Sequence, residues 1–222
     1  MAGQTTPIFS NDYNGLQTRI SNVLGVGSGT YGYGQPLVSI QTLSKTLISS
    51  SQWNELRTDI LKARQHQTGN DESLTIPEIG PGTEISNALY NAFDTFLSVT
   101  ETNRSVLSPS SQSTRENLAV ATKTGSWTLT LTHEITVEFD TPDAMRWFFN
   151  SGSAVEFSAA RTGGSPTIKN NTMSTMLANM GIVRFTNSST FATGTGTGSS
   201  IGFYNLTTED QLVYRKHSGT QS

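Results

Sequence analysis

Residues 127–139 read W-T-L-T-L-T-H-E-I-T-V-E-F, in which every odd position except His133 is apolar and every even one is Thr or Glu. Side chains in a strand alternate between faces, so the stretch reads as one long strand with a dry face and a wet face. On a helix the same residues would scatter around the axis. Burial on one face only is the mark of antiparallel sheets, as in sandwiches and hairpin-built assemblies.

Downstream, D-T-P-D at 140–143 supplies an N-cap, a proline for the first helical position and an early carboxylate. These predict a short helix carrying Met145, Trp147, Phe148 and Phe149. Ser151-Gly152-Ser153 turns the chain into a second strand at 154–161, with Val155, Phe157 and Ala159 on one face. A turn at 162–165 leads to a helix at 171–180 bearing Met173, Met176, Leu177 and Met180, which Gly181 ends, and a third strand at 182–185 follows. The stretch G-T-G-T-G-S-S at 194–200 reads as a loop or wide turn, and 201–206 and 211–216 as the last strands.

Upstream the period changes. Asn11 or Asp12 can cap a helix to about residue 24, with Leu16, Ile20, Val23 and Leu24 at spacings of three and four. Ser50 or Ser51 can cap a second helix, 52–67, striped by Trp53, Leu56, Ile60, Leu61 and Ala63 and stopped at Gly69. Beyond a Pro- and Gly-bearing linker at 77–82, a third helix at 86–102 is striped by Leu89, Phe93, Phe96 and Leu97. The expected fold is α+β: a helical N-terminal half followed by an antiparallel β-sheet or sandwich domain with short inserted helices. The expected division is a helical docking and oligomerisation region at 1–106, a linker and strand entry at 107–125, and a β-rich domain at 126–222.

Composition narrows the functional classes. Among 222 residues only 34% are apolar and 14% charged, with Ser, Thr, Asn and Gly making up the difference, as is common in extracellular β proteins and particle components. A net charge of −3 provides no basic footprint for a sequence-independent grip on nucleic acid. With no cysteine, disulfides, thiolate metal sites and thiol nucleophiles are excluded, so packing or oligomerisation must hold the protein together. Residues 1–10 carry no secretion signal, and no apolar run is long enough for membrane insertion, so the expected route is assembly in a host cytoplasm and release by lysis.

Each candidate for chemistry meets a simpler reading. G-V-G-S-G-T at 25–30 follows a helix rather than a strand and lacks the Gly-Lys-Ser/Thr ending of a phosphate loop, so it reads as a packed loop whose glycines allow close backbone approach. Tyr31 and Tyr33 beside it, and Trp53, are the candidate interaction residues. His133 has no second His or Cys nearby and reads as a half-buried side chain satisfied by a backbone partner, while His66 suits a helix C-terminus. Glu134, Glu138 and Asp140 form a flat, solvated row rather than the facing carboxylates of a glycosidase. R-T-G-G-S at 161–165 reads as a strand-to-helix connection. No catalytic, metal or cofactor-binding set is assembled.

Three segments together resemble a family of virion structural proteins of tailed phages, of the T4-like type found in phages of marine cyanobacteria. They are N-D-Y-N-G-L-Q-T-R-I-S-N-V-L-G-V-G-S-G-T-Y-G-Y-G-Q at 11–35, S-Q-W-N-E-L-R-T-D-I-L-K-A-R-Q-H-Q at 51–67, and M-R-W-F-F-N-S-G-S-A-V-E-F-S-A-A-R-T-G-G-S at 145–165. The resemblance implies a non-enzymatic component of the tail, neck or fibre region, a homo-oligomer in contact with other virion proteins. Family members continue with further strands beyond the segment similar to 202–216, which implies either a shorter last domain here or a strand supplied by a neighbouring subunit. A receptor- or carbohydrate-binding fibre module with a host surface glycan as partner is the alternative, since Trp, Tyr and polar loops can form a shallow sugar site.

Overall fold

The computed structural model describes residues 8–26, 31–73, 75–108, 119–187, 190–192, 194, 198–200 and 212–216. They fold as two compact units, 1–151 and 152–222. The first is built on three helices, α1 (Ser10–Val23), α2 (Ser50–Thr68) and α3 (Asn87–Thr102), each packed on the other two.

Local chemistry sets the helix ends. Asp12 reaches back to accept the N–H of Phe9 at 2.7 Å, so the acidic residue acts from inside the first turn of α1 rather than as its cap. At α2 the box S-x-x-Q is reciprocal: Gln52 N donates to Ser49 Oγ and Ser49 N to Gln52 Oε1, one residue upstream of the expected caps. Gly69, at φ +73°, closes α2 in the left-handed conformation. Ser86 Oγ accepts from Leu89 N to start α3.

The apolar stripes meet in one core of Tyr13, Leu16, Ile20, Val23, Leu24, Trp53, Leu56, Ile60, Ala63, Phe93 and Leu97. Trp53 lies at its centre, edge-on to Tyr13 at 5.4 Å and to Phe93 at 5.1 Å between ring centroids. Each large side chain so buried contributes about 1.5–3 kcal/mol of transfer free energy, which makes this core the main source of the unit's stability.

Connections are stitched to α2 by polar side chains. Asn54 pairs with both backbone groups of Ile79, and Arg57 donates to Ile76 O and Ser73 O, which carries Ile76 and Ile79 into the core. The Asp59 carboxylate, 1% exposed, accepts from Val38 N, Ser39 N and Ser39 Oγ. A buried carboxylate is tolerable there because three donors replace its water. Between α1 and α3, Arg19 bonds Glu101 through two nitrogens and also Asp94. Hydrogen bonding to Glu101 leads the effects that hold its guanidinium pKa above the ordinary arginine value.

The glycine-bearing loop does what close backbone approach allows. Tyr33, Gly34 and Gln35 donate to Val23 O, Gly25 O and Leu24 O, each at 2.9 Å, satisfying carbonyls that the end of α1 leaves without helical partners. A Cβ on Gly32 would stand 1.9 Å from Gly25 O, so no larger residue fits between the two arms.

Helix α4 (Pro142–Asn150) begins as expected, with Pro142 at its first position and Thr141 Oγ1 accepting from Ala144 N. It belongs to the helical unit rather than to a β-rich domain starting at 126. The cause is packing: Trp147 lies against Gly34, and His66 Nε2 donates to Ser151 O at 2.7 Å.

Residues 127–139 depart most from expectation. The segment forms no helix and no ladder among the described residues. Alternation gives a strand its two faces, but a strand also needs a neighbouring backbone to bond to, and no described segment supplies one.

The second unit contains β1 (Val155–Ser158), α5 (Ile168–Met180), β2 (Ile182–Phe185), β3 (Thr190–Ala192), β4 (Gly198–Ser200) and β5 (Tyr214–Lys216). Strands β1, β2 and β3 form one antiparallel sheet in that order, and β4 pairs antiparallel with β5. In the β1–β2 register Glu156 opposes Arg184, with Oε1 and Nε 3.0 Å apart in an ion contact. On the other face Phe157 and Phe185 meet edge-on at 5.3 Å. Gly163 and Gly164, both at left-handed φ, make the expected turn, and Thr167 caps α5. The methionine stripe of α5 is half-buried. Residues 198–200, expected to be loop, form β4, because pairing with β5 outweighs the weak strand propensity of Gly and Ser. The strand expected at 201–206 lies outside the described residues. The described fold is thus α+β, with small antiparallel sheets and inserted helices.

Candidate interaction surface

The three aromatic candidates separate by burial. Trp53 is 1% exposed at the centre of the core and Tyr33 is 5% exposed, so as surface anchors both are corrected: their rings are already covered by this chain's own helices. Tyr31 keeps an open face, 50% exposed, with the Arg104 guanidinium 4.0 Å from its ring centroid.

Tyr33 instead ends a buried polar chain. Glu72 receives two bonds from Arg64, Arg64 donates to Gln67 Oε1, Gln67 Nε2 donates to the Tyr33 hydroxyl, and that hydroxyl donates to Arg104 O. Burial pushes the Tyr33 hydroxyl up to about 12, against the opposing effects of the Gln67 bond and of Arg104 and Arg64. The sequence offered no sign of this chain, since its members lie on four separate segments.

Beside it lies an open cleft of about 700 Å³ lined by Tyr33, Gly34, Lys62, His66, Trp147 and Phe148. His66 is engaged with Ser151 O and leans on Tyr33, 4.9 Å between ring centroids. Trp147 Nε1 is buried without a hydrogen-bond partner among the described residues.

The amphipathic segment is the second candidate. Leu129 is 91% exposed, Leu131 37% and Ile135 38%, and among the described residues 129–138 make no hydrogen bond. Glu134, Glu138 and Asp140 are exposed, as a solvated row should be. His133 is exposed too, which corrects the half-buried, backbone-bonded reading: the apolar face on which it lies is not covered. Phe139 anchors the C-terminal end of the strip on α4, with ring centroids 5.4 Å from Phe148 and 6.1 Å from Phe149.

Among the described residues no group of three or more His, Cys, Asp or Glu side chains could hold a metal ion, and no helix is long and apolar enough to cross a membrane. No family model, curated protein or solved structure matches the chain.

Proposed function

We propose that the chain is a non-enzymatic structural subunit of a tailed-phage virion, in the tail, neck or fibre region, acting by self-association and by contacts to other virion proteins. The observation that carries this reading is the exposed strip at 129–138, an alternating apolar and polar stretch without hydrogen bonds among the described residues, beside a well-packed helical core. Such a backbone is a ready template for strand addition by another chain. The phage assignment rests on the resemblance of segments 11–35, 51–67 and 145–165. In this reading the helical first half docks to the particle, and the β half completes its sheet, or a sandwich, with strands of neighbouring subunits. Deleting residues 1–105 and imaging the particles tests it: the truncated protein is expected to be missing from them, and normal incorporation would overturn the docking role.

A glycan-binding fibre module is the second reading, favoured by the indole N–H of Trp147 in its aromatic cleft. Size-exclusion with light scattering separates the two, because a stable monomer that binds host-envelope glycans favours the fibre module.

A further inference from the structure

Self-association does not say which surface mates with which, and the strip at 127–139 answers that from its own residues. Resting on the self-association reading, we propose that two copies of this chain pair through residues 127–139 as an antiparallel two-stranded ladder whose two-fold axis passes through His133.

Antiparallel pairing about His133 sets Trp127 opposite Phe139, Leu129 opposite Val137 and Leu131 opposite Ile135. The intervening pairs are all polar: Thr128 with Glu138, Thr130 with Thr136, Thr132 with Glu134. Apolar side chains from both copies thus share one face along the whole segment, which specifies register strongly because a slip of one residue would set every apolar side chain against a polar one.

Charge then chooses among the registers that keep the faces matched. Parallel in-register pairing would stack Glu134 on Glu134 and Glu138 on Glu138, and like charges directly opposite one another destabilise a ladder. Moving the antiparallel axis one position to residue 134 sets Glu134 against itself. Moving it to residue 132 keeps the glutamates apart but shortens the overlap and sets Trp127 against Val137 and His133 against Leu131. The axis at His133 has the longest overlap and no facing carboxylates, and the only residue it sets against itself is a histidine.

Structure supplies the remaining requirement, an accessible edge. Residues 129–138 make no hydrogen bond among the described residues, and Leu129, Leu131 and Ile135 lie open to solvent. Pairing would satisfy that backbone and cover those side chains together. The surface is the same patch on both copies, so the contact closes on itself as a two-fold dimer.

The sequence holds no cysteine, so a single introduced thiol reports the register directly. His133→Cys in the full chain places the two thiols opposite each other on the axis, within disulfide reach. Thr136→Cys places them six residues apart along the ladder, about 20 Å, beyond it. Under mild oxidation the first variant is expected to run almost wholly as a covalent dimer and the second to stay uncrosslinked, with light scattering showing a dimer for the unmodified chain. Equal crosslinking of both variants would overturn the antiparallel axis in favour of parallel register. A stable oligomer in which the His133→Cys variant forms no crosslink would overturn this interface and leave self-association standing. A monomer at all concentrations would overturn both.

Discussion

Tyr33 shows what a single side chain decides in this protein. Its ring fills the core beside α2 while its hydroxyl receives from Gln67 and donates to Arg104 O, so ionising it would place a charge in a dry site and remove that donor. Burial raises its pKa from 10.0 to about 12, and burial is also the leading cause that raises Tyr13 to about 12. The sign follows by linkage: a folded-state value above the unfolded one means that the unfolded chain loses its proton first. Stability should therefore hold up to about pH 10 and fall between there and about pH 12. Urea denaturation at stepped alkaline pH should show this decline, and Tyr33→Phe should lower stability at pH 8 while making the decline shallower. An equal slope in the variant would mean that the Tyr33 hydroxyl is not held neutral. The place of Trp53 on the apolar stripe of α2 was legible, but not that Tyr13 and Phe93 cover its ring, since those lie on other helices. The burial of Tyr33 was not, because nothing in G-S-G-T-Y-G-Y-G tells which tyrosine turns inward.

At the scale of elements, α4 is attached by shape rather than by a large apolar face. None of its residues is fully buried, yet Trp147 lies so close over Gly34 that a Cβ there would stand 2.2 Å from the indole. Gly34 also holds φ +72°, which other residues adopt at a cost. Gly34→Ala should therefore destabilise the helical unit by about 1–3 kcal/mol, the range for backbone strain of this kind. Adding Trp147→Ala should return part of that loss, because the steric component disappears with the indole. Thermal melts of the two single variants and the double variant measure the coupling, and strict additivity would show that ring and glycine do not interact. Helices α1 to α4 were legible within a few residues, since caps, proline and glycine signals sit in the elements themselves. The attachment of α4 to the helical unit was not, because it depends on the contact of Trp147 with a glycine more than a hundred positions away.

For the molecule as a whole, stability is unevenly placed. The helical unit holds a continuous core around Trp53, whereas among the described residues of 152–222 only Val183 is a buried apolar side chain. Residues 1–151 expressed alone should melt cooperatively and keep the near-ultraviolet signal of a packed tryptophan. A broad transition without that signal would show that the core needs the second unit. By itself the sequence determined the helices, the buried stripes of the first three, the turn at 161–165 and the strand at 182–185. Only the tertiary structure decided that 119–151 folds with the helices, that 198–200 pairs as a strand, and that 127–139 finds no ladder among the described residues. The physical reason is where the hydrogen bonds close. A helix closes them within its own segment, so local sequence describes it fully, whereas a strand closes them on another segment that its own alternation cannot name.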